Sequence, residues 1–139
     1  MFELLYTSVS PKGLSEPDLM TLLQAARCKN QGLDITGMLV YHDREFMQLL
    51  EGEESIVKNL YQRILTDNRH TSVELLYQGT IENRAFGEWS MAFKLLDEKA
   101  VNALIPGYEE FDRKISPINM IKASPNRGKR TFLSLRDSL

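Results

Sequence analysis

ITGMLVYHDREFMQLLEG, residues 35–52, decides the fold. It holds two short apolar runs, 35–42 and 45–51, joined by Asp43-Arg44. That is a β-hairpin signal, although the turn lacks the residues that hairpin turns favour. Side chains alternate along a strand, so Phe46, Gln48 and Leu50 share one face while Met47 and Leu49 share the other. Both faces are apolar, so Gln48 cannot simply point at water. An amide buried among such neighbours costs about 1–3 kcal/mol unless something hydrogen-bonds it.

Upstream of the hairpin, FELLYTS (2–8) reads as a strand with Phe2, Leu4 and Tyr6 on one face. Ser15 and Asp18 form a helix-start box, and Leu19, Leu22, Leu23 and Ala26 recur at helical spacing, which predicts a helix over 16–30 closed by Asn30-Gln31-Gly32. Downstream, Ile56, Val57, Leu60, Tyr61 and Ile64 carry a second helix to about Asp67, its start favoured by Glu53 and Glu54. SVELLYQGTI (72–81) and EWSMAFKLL (88–96) read as two further strands. The order β-α-β-β-α-β-β predicts an α+β, ferredoxin-like sandwich: a mixed, mainly antiparallel sheet with both helices on one face. Past Leu96 the pattern weakens. Short helices are expected over 97–105 and within 108–122 as a C-terminal helical extension, and the polar, basic tail from Ser124 is left open between disorder and an interaction segment.

A chain of 139 residues with 42% apolar and 26% charged content is that of one globular domain, and a net charge of −2 supplies no general attraction to nucleic acid or anionic membrane. No apolar run approaches the roughly 18 residues that span a bilayer. Cys28, the single cysteine, cannot form an internal disulfide, and with no signal peptide the expected location is cytoplasmic.

Conventional catalysis finds little support. His42 and His70 are isolated, so no metal site is expected. Cys28 reads as a structural thiol, Glu51, Glu53 and Glu54 read as a charged helix start, and Arg127, Lys129 and Arg130 are too few for a nucleic-acid site. What remains is a convergence. If the helices cover the face carrying Tyr6, the same face takes Gln48, the Trp89 indole or Met91 thioether, and Asn30 at the end of the first helix. Each alone has a plain packing explanation. Together, with an Arg63–Asp67 pair on the second helix, they describe an apolar pocket holding a few oriented polar groups, the usual form of a cofactor site.

The residues Tyr6-Thr7-Ser8, Asn30, Ile35-Thr36-Gly37-Met38-Leu39, Phe46-Met47-Gln48-Leu49-Leu50-Glu51-Gly52, Arg63-Ile64, Asp67, Arg69-His70, Phe86 and Trp89-Ser90-Met91 follow one another in a pattern that resembles the BLUF family, blue-light sensors that use flavin on a ferredoxin-like scaffold. The resemblance covers about residues 1–96. It implies a flavin-binding domain over 1–96 and a C-terminal extension over 97–139.

The resemblance further implies FAD as cofactor, with FMN or riboflavin as alternatives. Tyr6 would give an electron and a proton towards the excited flavin, and Gln48 would bridge Tyr6 and the flavin N5/C4 carbonyl edge. Asn30 would bond the pyrimidine side, with Arg63 and Asp67 at or around the same polar edge. Leu22 and Ile64 would sandwich the ring, Lys29 would flank it, and Arg69 and His70 would lie towards the ribityl or phosphate end. Trp89 and Met91 would be the readout pair, one of them near Gln48. With the last residue at Leu139, no fused catalytic domain is expected, so the reading is a photoreceptor rather than an enzyme. Its signal would pass to a downstream protein or a change of homo-oligomeric assembly. A flavin-free ferredoxin-like interaction module is the alternative. A small acylphosphatase-type hydrolase on the same scaffold lacks the anion-binding loop it would need.

Overall fold

The computed structural model describes residues 1–96, Ile118 and residues 127–137. Its elements run β1 (Phe2–Val9), α1 (Glu16–Leu33), β2 (Thr36–His42), β3 (Glu45–Gly52), α2 (Glu54–Thr66), β4 (Thr71–Thr80), β5 (Ala92–Leu95) and α3 (Arg127–Arg136). The helices expected over 97–105 and 108–122 lie outside the described residues, apart from Ile118.

Five strands make one sheet in the order β4-β1-β3-β2-β5. β3 lies antiparallel between β1 and β2, β4 is antiparallel to β1, and β5 is parallel to β2. This is the α+β, ferredoxin-like arrangement, extended by a fifth strand. Tyr6 faces Gln48 directly across the β1/β3 ladder, and Gln48 faces Leu39 across β3/β2. The hairpin needs left-handed backbone at both turn residues, and Asp43 and Arg44 adopt it with φ of 38° and 71°. The turn is propped from inside: the Tyr41 hydroxyl accepts the Arg44 N–H at 3.0 Å and the Leu14 N–H at 3.2 Å.

Helix α1 begins as expected, with reciprocal bonds between Ser15 and Asp18 and a proline in the first turn. It runs three residues past the expected Asn30 end, because Asp34 takes the left-handed capping conformation (φ 52°) and donates its N–H back to the Asn30 and Gln31 carbonyls. Gly32 lies within the last turn and does not end the helix.

Both sheet faces are covered. Leu4, Tyr6, Leu39, Tyr41, Phe46 and Leu50 form the front core with Leu19 and Leu23 of α1 and Val57, Leu60 and Tyr61 of α2. Leu5, Met38, Val40, Met47 and Leu49 form the back core with Phe86, Ala92, Leu96, Ile118 and, from α3, Phe132 and Leu135. The two-helix expectation is thus extended: a third helix lies against the opposite face. The basic tail is not free there. Phe132 is fully buried and packs edge-on to Phe86 at 6.4 Å, and Lys129 pairs with the buried Glu3, which also accepts the Tyr77 hydroxyl. Burying one such aromatic side chain is worth roughly 1.5–3 kcal/mol, which a segment of polar average composition conceals.

The last strand is shorter than the expected 88–96. Only Ala92–Leu95 pair with β2 as a strand, because the Ser90 and Met91 carbonyls are taken by α1, the Trp89 carbonyl reaches β2 only through the Gly37 N–H, and the Trp89 N–H turns back to the Phe86 carbonyl at 3.0 Å. Glu51 also departs from its reading as part of a charged helix start. It is completely buried at the end of β3, where its carboxylate accepts the Ala85 N–H (2.6 Å), the Phe86 N–H (2.9 Å) and the Thr36 hydroxyl (3.1 Å). Gly37 is required by closeness: a Cβ there would sit 1.9 Å from the Leu49 carbonyl oxygen. Among the described residues no helix is long and apolar enough to cross a membrane.

Candidate functional site

A cavity of about 190 Å³ opens on the front face between α1, α2 and the sheet. Its floor is Tyr6 from β1, Leu39 from β2, and Phe46 and Gln48 from β3. Helix α1 contributes Leu22, Ala25, Ala26, Lys29 and Asn30, which recur every three or four residues and so share one side of the helix. Helix α2 and its C-terminal turn contribute Leu60, Arg63, Ile64, Asp67, Arg69 and His70. The ten residues named from the sequence as flavin-binding all line this one space.

At the floor runs a hydrogen-bonded chain. The Tyr6 phenol donates to Gln48 Oε1, and Gln48 Nε2 donates to Met91 Sδ at 3.4 Å. Gln48 is only 8% exposed, Tyr6 2% and Met91 1%, so the amide found on the apolar strand has its partners inside the protein. Its two ends are held unequally, because a thioether is a much weaker acceptor than a phenol is a donor. The Tyr6 ring also packs against Tyr61 at 5.6 Å. Burial, reinforced by the neighbouring Tyr61 and Asp67, pushes the Tyr6 phenol well above the usual tyrosine range, so it is a protonated donor at any physiological pH.

Trp89 and Met91, expected as a readout pair, separate. Met91 reaches Gln48, whereas Trp89 packs with the back core, edge-on to Phe86 at 6.1 Å, and is not part of the cavity. Alternation explains the split, since residues two apart share a face only on a regular strand, and β5 does not begin until Ala92. The Arg63–Asp67 pair is also replaced. Asp67 sits at the C-cap of α2 and binds Arg69 instead, accepting its backbone N–H at 3.0 Å and its guanidinium at 2.6 Å. The Arg69 bonds hold the Asp67 carboxyl down at about 2. His70, half-buried, meets the Ser8 hydroxyl at 3.3 Å and the edge of Phe46 at 6.3 Å, and burial lowers its pKa.

Asn30 is buried on the otherwise apolar stripe of α1, and its amide N–H donates to the Ser90 carbonyl at 2.8 Å. Sequence reasoning took Ala26 only as part of the apolar helix stripe and passed over Ala25, although the small side chains of both leave room beside Leu22, and it passed over Arg27, which donates to the Met91 carbonyl at 2.9 Å. The paired alanines were a readable signal. Arg27 gave none.

The arrangement suits a flat heteroaromatic ligand. Leu22, Ala25, Ala26, Leu60 and Ile64 give apolar walls from both helices, while the Gln48 and Asn30 amides and the Lys29 and Arg63 cations offer bonding groups for a polar edge.

Comparison with known proteins supplies the family. The description "Sensors of blue-light using FAD", BLUF, matches residues 1–92. Photoactivated adenylate cyclase subunit beta of Euglena longa is 37% identical over 89 residues, 63% of this chain and 10% of that protein. The chain thus spans about a tenth of the length of the cyclase subunits it matches. Among solved structures, the BlsA photo-activated state superimposes with a TM-score of 0.80 at 26% identity, covering 97% of this chain and 94% of that one. BlrB, described as a BLUF protein in its dark state, gives 0.70 at 30% identity over 99% and 96%. By the match over residues 1–92, on a fold shared with BLUF structures, the chain belongs to the family of blue-light sensors that use FAD.

Proposed function

We propose that this protein senses blue light through a flavin, FAD by family, held in the cavity between α1 and α2, and that Gln48 is the switch. The observation that carries the reading is the buried chain Tyr6–Gln48–Met91 at the cavity floor. Leu22 and Ile64 hold the two faces of the ring. Asn30, whose N–H is committed to Ser90, keeps its carbonyl oxygen to accept from the pyrimidine edge, and Lys29, Arg63 and Asp67 flank that edge. Arg69 and His70 lie towards the ribityl or phosphate end.

The bound flavin supplies blue-light absorption and an excited state that accepts an electron. Tyr6 is the donor. Its phenolic proton already points along the bond to Gln48, so the electron and proton can leave together without exposing a buried phenolate. Gln48 has two nearly isosteric amide ends, so it can exchange them by rotation or imidic tautomer at little steric cost. Its weak hold on Met91 sulfur makes that end the easier to release. Return of the electron and proton restores Tyr6 and leaves only the hydrogen-bond pattern changed. A two-state element that both Gln48 and the output can bias is then needed, and Met91, joined directly to β5, is that element.

The signal leaves the domain of residues 1–96 through β5 into the extension over 97–139, and from there to a downstream protein or a second copy of the chain. No catalytic step is assigned to these residues. A flavin-free interaction module would not require Tyr6, Asn30 and Gln48 to be buried polar groups around an alanine-lined cavity.

Purification in the dark, with flavin supplied, tests the reading. The expected protein is yellow, and blue light shifts its absorption reversibly to the red. Protein that stays colourless after supplementation would sink the proposal.

A further inference from the structure

Three consecutive backbone carbonyls ahead of β5 are each taken by a donor outside their own segment. The Trp89 carbonyl accepts the Gly37 N–H at 3.2 Å, the Ser90 carbonyl accepts Asn30 Nδ2 at 2.8 Å, and the Met91 carbonyl accepts Arg27 Nε at 2.9 Å. Arg27 and Asn30 are one turn apart on α1, so the same side of that helix grips two adjacent residues. Met91 is therefore fixed at two points: by its carbonyl to Arg27 and by its sulfur to Gln48.

The two points differ in strength. An N–H donated to a carbonyl at 2.9 Å is a full-strength hydrogen bond, whereas an amide–thioether bond is weak. Left to the sulfur contact alone, a flexible methionine with three rotatable bonds would have little reason to stay on Gln48. Trp89, two residues earlier on the same segment, is already packed on the opposite side of the sheet, so a shift of this segment would change which side chain faces the switch.

We infer that Arg27 is a positioning residue of the light switch: by holding the Met91 carbonyl it keeps the Met91 thioether on Gln48, and so sets how long the light-driven state lasts. The inference rests on the reading of Gln48 as the switch. It assigns a role to a residue outside the cavity lining, and the role has a chemical requirement. What matters is an N–H at the fourth atom of the side chain, which glutamine also supplies at the same number of bonds from the backbone and without charge.

The test uses the full chain loaded with FAD and compares Arg27→Leu, which removes the donor while keeping helix propensity, with Arg27→Gln, which keeps it. After a blue-light pulse, thermal recovery of the dark spectrum is timed. Arg27→Leu is expected to change the recovery rate roughly threefold to tenfold, the range that one hydrogen bond commands, with flavin affinity and melting temperature little moved. Arg27→Gln is expected to restore the original rate. In a Met91→Leu background, which has no sulfur, Arg27→Leu should have no further effect. An unchanged rate in Arg27→Leu would overturn the inference, as would the full effect persisting without the Met91 sulfur. Should Arg27→Leu fail to fold, Arg27→Ser is read in its place.

A second readout needs no photochemistry. In the flavin-free chain, the Met91 methyl resonance, assigned by its loss in Met91→Leu, should move in Arg27→Leu and return in Arg27→Gln; a resonance that stays put refutes the role. Wild-type protein without any red shift would instead count against the sensor reading, and the methyl resonance would still decide the placement.

Discussion

Tyr6 and Gln48 are direct partners across the β1/β3 ladder, with the phenol donating to the amide oxygen inside the protein. The pairing is set by strand register, so the proposed donor and the proposed switch are brought together by the fold itself. A one-residue slip of β3 would turn Gln48 to the back core and Met47 or Leu49 to the cavity.

Replacing Tyr6 by Phe keeps the ring against Tyr61 and removes the hydroxyl. The Gln48 oxygen then lacks its donor, and stability should fall by about 1–3 kcal/mol. The variant is expected to bind flavin and to show no reversible red shift under blue light. A normal light-minus-dark difference spectrum would remove Tyr6 from the mechanism.

Stability should decline in two steps as acidity rises. Burial lowers the His70 pKa, so the folded chain prefers the neutral ring while the unfolded chain takes up a proton near the ordinary value of about 6.5. This contribution is fully present above that value and is lost as pH falls below it. Asp67, held at about 2 by Arg69, contributes above the ordinary carboxylate value, and its share is lost as pH falls towards 2. Thermal melts from pH 8 to pH 3 should therefore be flat at first, decline from about 6.5, and decline again below about 4. His70→Asn should remove the first decline; an unchanged profile would show that His70 is not the titrating group.

On the back of the sheet, Phe132 is fully buried against Phe86. Phe132→Ala should cost about 3–5 kcal/mol in chemical denaturation. Lys129→Met leaves the buried Glu3 carboxylate with the Tyr77 hydroxyl, whose pKa that contact pushes up to about 12, and should cost about 1–3 kcal/mol. Wild-type stability in both variants would mean that α3 adds nothing to the core.

Much of this was legible because it is local. The 35–52 hairpin, the Ser15–Asp18 box and the apolar stripes of α1 and α2 carry their periodicity in the chain, and the topology followed from their order. Gln48 stood out as a polar residue on an apolar strand and Asn30 as the residue at the expected end of the first helix, and both line the cavity. What was hidden depends on contacts between distant residues. Nothing near Glu51 signals that it gathers the Ala85 and Phe86 amides from 34 and 35 residues away. The basic residues around Phe132 masked a core helix, since three buried positions, Thr131, Phe132 and Leu135, suffice to dock it. Trp89 and Met91 looked alike two residues apart, and only the backbone ahead of β5 sends one to each side of the sheet.

The central claim is that Gln48 is the switch, and Gln48→Leu tests it most directly. The light-minus-dark absorption spectrum of the FAD-loaded variant should be flat, with flavin still bound and the fold intact, while the wild-type chain shows a reversible red shift. A red shift retained in Gln48→Leu would contradict the account.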